Sequence, residues 1–271
     1  FTQYDTPQSL GSFYVSFAFA AIIGACGWLM YITLGGAVSV AAYRECLPDK
    51  LAPEWLISWP TVRSREYLQA CLVGYMLPVI MLGYVTAFYV FGRDFGVWSP
   101  AALDYTDLAS TSLPWLYPLT IGLMASISEE FIFRMFAIPF LRKHHKSTFL
   151  AVLIPAVIWG FMHSSYPQQP FYARGVELSL VGILFGYTFL RYGIVSVLIA
   201  HYAYDALLTS LFLLQSSRLY FQVSGVLVVG ILLIPLIPSL YALVRRRLTA
   251  GDGGTNADVT ASLAALESET K

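Results

Sequence analysis

Six ionisable side chains interrupt stretches that are otherwise apolar. Glu129, Glu130 and Arg134 fall inside "LMASISEEFIFRMFAI" (123–138), His163 lies in "VIWGFMHSSY", and His201 and Asp205 lie within "VLIAHYAYDALL". A charge at the centre of a membrane span costs on the order of 2.5–3.5 kcal/mol on insertion scales, so such groups either offset one another or do work. Glu130 and Arg134 are four residues apart with the acid nearer the N-terminus, the favourable order for a helical ion pair. An arginine fork can hold a carboxylate through two parallel hydrogen bonds. Glu129 points about 100° away around the same helix and has no local cationic partner once Arg134 is given to Glu130. Its partner must come from elsewhere in the bundle, and the candidates are His163 and the His201/Asp205 pair, whose spacing lets the acid orient the ring.

Taken singly, each feature has a structural explanation. A histidine near a span end is often only an interfacial residue, a His/Asp pair can join helices, and the Glu/Arg pair can be a lock. His144 and His145 sit in a basic loop and read as solvated. Taken together, the set suits general acid–base chemistry on water: a carboxylate in a dry pocket can accept a proton, and an oriented imidazole can donate to a developing oxyanion.

The rest of the chain must place those groups in one layer. It has 271 residues, 57% hydrophobic and 12% charged, with zero formal net charge. That charged fraction is about half the norm for soluble domains. The apolar residues come in long runs, so the expected fold is all-α: a polytopic transmembrane helix bundle of about seven spans with a polar cluster inside the membrane. The spans are read at 12–43, 67–91, 113–141, 148–163, 175–192, 193–214 and 223–244. Helix rise puts Glu129 about 20 Å from Arg142, His201 about 15 Å from Arg191 and His163 about 25 Å from Lys146, so tilted or kinked helices can bring all three to one level near the midplane.

Arg44, Lys50, Arg63, Arg65, Arg142, Lys143, Lys146, Arg191 and Arg245 to Arg247 fall on one side of this scheme; Arg93, Arg174 and Arg218 fall on the other. The bias makes the first side cytoplasmic, and the C-terminus with it. Asp104 and Asp107 then lie outside. The first apolar run is too long for a signal peptide. Cys26, Cys46 and Cys71 read as small apolar fillers. With no basic stripe, nucleic acid is set aside. The domain reading is a transmembrane domain at 1–248 and a flexible C-terminal tail at 249–271. Within the tail, "LTAGDGGTNADV" lacks an apolar face and "TASLAALESETK" can form a short helix.

Three motifs in order carry a resemblance. Glu129-Glu130-Phe131-Ile132-Phe133-Arg134 fits EExxxR, Trp159-Gly160-Phe161-Met162-His163 is the counterpart of FxxxH, and His201-Tyr202-Ala203-Tyr204-Asp205 fits HxxxD. The chain resembles the CPBP family of CAAX-protease and bacteriocin-processing intramembrane enzymes, whose best-known members are the Ras-converting prenyl-protein proteases. The resemblance covers about 113–214, including the Gly182/Gly186 pair, a GxxxG surface for close helix packing. It implies an intramembrane glutamate-type endopeptidase. Glu129 would activate water with help from His163, Glu130 and Arg134 would brace the site, and His201 and Asp205 would stabilise the oxyanion. Trp159 is larger than the family's usual Phe, and Asp205 stands where the prenyl-protein proteases have Asn, so it would act protonated or through His201. The partners implied are membrane lipid and a membrane-associated or lipidated peptide or protein substrate, with no oligomeric state assigned. No cofactor is expected. A metal site of Glu129, His163 and His201 ranks lower because no HExxH helix is present. A non-proteolytic membrane scaffold, immunity or assembly factor is the alternative, and the absence of repeats weighs against a transporter.

Overall fold

A computed structural model describes residues 7–100, 108, 111–245 and 254–269. Asp104, Asp107, Arg246, Arg247 and the first part of the tail, 249–253, lie outside the described residues. Among those described the architecture is all-helical, with only two isolated bridges between extended residues.

Helix α1 (Leu10–Cys46) is one 37-residue rod. It starts at Ser9, whose side chain accepts the Ser12 N–H, and contains a π-helical turn at Tyr31–Gly35. Helix α2 (Arg65–Gly92) is capped by Ser64 through the Tyr67 N–H and ends past a 3₁₀ turn at Gly96, whose φ of 79° suits glycine. Helix α3 begins at Leu116–Glu130, continues as a π-helical segment at Phe131–Phe136 and ends as Ala137–His144. Helix α4 (Thr148–Phe161) is capped by Ser147 through the Leu150 N–H. Helices α5 (Ala173–Tyr192) and α6 (Ile194–Leu214) join at Gly193, with φ 81°. A Cβ there would also lie 2.9 Å from the Tyr43 hydroxyl oxygen, so side chains are excluded twice over. Helices α7 (Leu219–Leu232) and α8 (Leu236–Val244) are set at 61° to each other, and α9 (Asn256–Glu269) ends the described chain.

Among the described residues, four helices are long and apolar enough to cross a membrane: α1, α2 with its 3₁₀ turn, α5 and α6. The bent α7–α8 pair makes a fifth if it counts as one span. The expected count of seven therefore splits into unequal parts. Helix α3, which carries the charged motif, is not among the four, and α4 has only 14 residues. The expected seventh span is broken, with Pro235 at the bend. Proline cannot donate to the preceding turn and its ring crowds that turn's carbonyl.

Small residues set the close contacts around the site. A Cβ on Gly160 would lie 2.5 Å from the Gly175 carbonyl oxygen, one on Gly182 2.8 Å from the Ala156 Cβ, and one on Gly186 2.6 Å from a Val152 methyl. The GxxxG pair thus faces α4, as a close-packing surface would. Likewise Gly122 brings α3 onto Tyr202 of α6, and Gly74 brings α2 onto Ile199. Helix α6 is the hub, and its buried face includes His201. Outward, the molecule is apolar: Val15, Phe19, Val79 and Phe91 are among many large side chains left exposed. Such a surface needs lipid or protein cover.

The basic ends collect at one pole. Lys143 pairs with Glu45 at 2.7 Å, Arg44 with Glu54, Gly193 sits against Lys50, and the Ser239 hydroxyl donates to the Val62 carbonyl at 2.6 Å. Trp98 and Gln169 pair at the opposite pole.

The described part of the tail differs from the flexible chain expected. Asn256 is fully buried, its side-chain amide donates to the Leu47 carbonyl at 2.7 Å, and its backbone N–H donates to the Lys50 carbonyl at 2.9 Å. The physical reason is that the 47–52 loop has free carbonyls, which a single asparagine with its neighbouring backbone can satisfy.

Candidate active site

Glu130 is fully buried, and its Oε1 accepts from Arg134 Nη1 at 3.0 Å. The pairing expected from the sequence is present but not bidentate. The same oxygen also lies 2.7 Å from His201 Nδ1, while Glu130 Oε2 and Arg134 Nη2 meet no protein partner. The π-helical segment, which starts right after Glu130, widens the helix between the acid and the base. Such segments are rare and often mark functional positions. Arg134 is further held between ring faces, with its Cζ 4.3 Å from the Trp159 ring centre and 5.3 Å from that of Phe185.

Glu129 is not left over. Its Oε2 accepts a hydrogen bond from the indole N–H of Trp159 and lies 3.9 Å from His201 Nε2. Motif reading treats Trp159 only as a larger aromatic and misses its donor. The signal was available: tryptophan is the one aromatic of that size carrying an N–H, and it stands in the motif next to His163.

His201 has its Nδ1 at Glu130 and its Nε2 3.4 Å from Asp205 Oδ2, the contact anticipated from the four-residue spacing. Nε2 is therefore the nitrogen turned toward Glu129 and Asp205, the acids on the cavity side. His163 lies in the turn after α4, with Nδ1 2.8 Å from the Trp159 carbonyl oxygen. A carbonyl can only accept, so Nδ1 carries the proton and Nε2 is left as an acceptor.

These groups meet in one cavity of about 250 Å³, lined by Glu129, Trp159, His163, His201 and Asp205 among others. Glu130 and Arg134 stand behind that wall and do not line it. Among the described residues no three His, Cys, Asp or Glu side chains are grouped to hold a metal ion. The alternative set of Glu129, His163 and His201 is not so grouped.

A second buried ion pair went unread in the sequence. Arg174, counted there as a loop cation, sits in the first turn of α5 and bonds Glu177 at 2.5 Å. Glu177 is fully buried and also accepts from the Tyr89 hydroxyl at 2.6 Å. The Arg174/Glu177 spacing of three was the available clue.

Comparison with known proteins agrees on the central segment. Residues 111–207 match the family described as type II CAAX prenyl endopeptidase Rce1-like. This match agrees with the resemblance to the CPBP family carried by the three motifs. The same length of chain, 97 residues, is 27% identical to the sporulation-killing factor biosynthesis protein SkfC of Bacillus subtilis (strain 168), covering 36% of this chain and 20% of that protein. The chain thus spans about a fifth of the length of the curated relative it matches. No solved structure matches. With its apolar helices and this Rce1-like match, the chain is an integral, multi-pass membrane protein and resembles CAAX proteases.

Proposed function

We propose that the protein hydrolyses a peptide bond at the membrane, with water as nucleophile and no covalent intermediate. The observation that carries this reading is the convergence of Glu129, His163, His201 and Asp205 on one cavity. Glu129 takes a proton from water as its oxygen attacks the peptide carbonyl carbon. His163 Nε2 accepts from the same water and aims it. The tetrahedral oxyanion is met by His201 Nε2–H, which Glu130 orients through Nδ1, with Asp205 acting through His201. The proton held by Glu129 passes to the amide nitrogen, the C–N bond breaks, and a carboxylate and an amine leave.

The substrate class that fits is a membrane-associated or lipidated polypeptide. The family description speaks of prenyl endopeptidases, and the relative's name speaks of the biosynthesis of a killing factor. The proposed orientation puts the basic pole and the C-terminus in the cytoplasm. The cavity then lies toward the other pole, where Tyr166 and Arg174 line it.

Glu129→Gln tests the reading. It keeps shape and the ability to accept from Trp159 but removes the base. Expected is a turnover loss of about 10²–10⁴-fold with the melting temperature retained. Turnover that survives both Glu129→Gln and His163→Ala rejects these two residues as the water-activating pair, whereas a phenotype that survives both rejects the hydrolase and leaves the scaffold reading.

A further inference from the structure

A second cavity, of about 370 Å³, adjoins the first, and Tyr166, Arg174 and Tyr204 line both. It runs on to Tyr89, Ser99 and Gln168. Two buried polar atoms of its lining have no partner among the described residues. Gln168 is 6% exposed, its Nε2 donates to Ser99 Oγ at 3.2 Å, and its Oε1 is unmet. Arg174 spends Nη1 on Glu177, and its Nε is unmet. Folded proteins leave few such atoms without a reason.

Both side chains are held in place. Gln168 precedes Gln169, whose backbone exchanges hydrogen bonds of 2.8 and 2.9 Å with Trp98. Arg174 is clamped by Glu177, itself fixed by Tyr89. One free atom accepts and the other donates. A peptide unit, with its N–H and C=O, offers the complement.

We propose that this second cavity is a subsite for substrate main chain on one side of the cleaved bond. Gln168 Oε1 accepts a substrate N–H and Arg174 Nε donates to a substrate C=O. This inference rests on the hydrolase reading of the adjoining cavity. The chemistry favours an uncharged peptide segment over a free anion, because Glu177 already offsets the arginine's charge. It favours a peptide over a hydrocarbon chain, which would leave both atoms unmet.

The test uses the full chain carrying Glu129→Gln in lipid nanodiscs, so that peptide is bound and not cut. The probe is a fluorescein-labelled, capped Leu/Ala hexapeptide, with analogues in which one amide at a time becomes an ester and loses its N–H. Saturable binding is expected, and Gln168→Leu should weaken it about tenfold, the scale of one buried hydrogen bond. One ester position should cost a similar factor when Gln168 is intact and nothing further once Gln168→Leu is in place. Gln168→Glu, which keeps an acceptor, should recover most of the loss. No saturable binding, an unchanged Kd in Gln168→Leu, or ester losses that add to it would each overturn the subsite. If Gln168→Leu does not fold, the ester series against Gln168 decides alone, and a flat series overturns the proposal. Turnover measured separately on the chain with Glu129 intact keeps the two ideas apart: no cleavage of the bound peptide rejects the hydrolase, while the binding series still judges the subsite.

Discussion

Glu130 Oε1 serves two bases at once, Arg134 at 3.0 Å and His201 at 2.7 Å, inside a wall that admits no solvent to the acid. Removing one member of such a set strands the others. Arg134→Met should cost about 3–5 kcal/mol, because Glu130 then keeps a buried charge without its main counter-ion. Adding Glu130→Gln should recover part of that loss, and thermal melts of the single and double variants in detergent read the coupling. Trp159→Phe is subtler. It keeps an aromatic face over Arg134 but deletes the donor to Glu129. A hydrogen bond to a charged group is worth about 1.5–3 kcal/mol. The Glu129 side chain is 26% exposed, so water offsets some of this and the lower end is expected in the same melts. The acids, the histidines and Arg134 were legible in the sequence because an ionisable group in an apolar run has no cheap explanation. Trp159 was legible as a residue able to donate, but its target was not, because an indole in such a run looks like ordinary packing until its N–H is given a direction.

The seam between α4 and α5 belongs to the element scale. Gly160 faces the Gly175 carbonyl with no room for a methyl group, whereas Gly83 on α2 has nothing within 4 Å of where its Cβ would stand. Gly160→Ala should therefore destabilise by about 1–3 kcal/mol through overpacking. Gly83→Ala should be neutral or slightly stabilising, since alanine is the better helix former. The melt order of the two variants checks the seam, and equal melting temperatures would refute it. The docked tail gives a pH dependence. Asp258 accepts from the Thr255 N–H at 2.6 Å and from its hydroxyl at 2.8 Å, which hold the carboxyl below its ordinary range. A depressed acid contributes above its unfolded pKa of about 3.9 and loses that contribution as pH falls through the folded value. Protection of residues 255–260 from hydrogen exchange should hold at neutral pH and fade below about pH 4. Helix existence was readable from apolar runs. The α7–α8 bend and the π-helical segments were not, because both depend on how neighbouring helices meet.

At the scale of the whole molecule, described segments that carry the basic residues meet at one pole, through contacts such as Lys143 with Glu45 and Ser239 with Val62. Single cysteines at Lys146 and Arg218, in a background with the native cysteines replaced, should label from opposite faces of sealed vesicles, with Lys146 on the cytoplasmic one. Labelling of both from one face would refute the orientation. The seven-span expectation came from counting apolar runs, which cannot tell a crossing from a broken or half-length helix. One feature of α1 bears on all handling of the protein. Its most apolar stretch is nowhere buried by the rest of the molecule, and up to the π-helical turn Phe13 is its only buried residue. The hydroxyl of Tyr31 reaches across to the Ser128 carbonyl, one residue from Glu129. This rod therefore needs lipid or protein cover along its length. Solubilisation swaps that cover for a micelle, so acyl-chain length and detergent choice become variables acting on the residue beside Glu129, the proposed base.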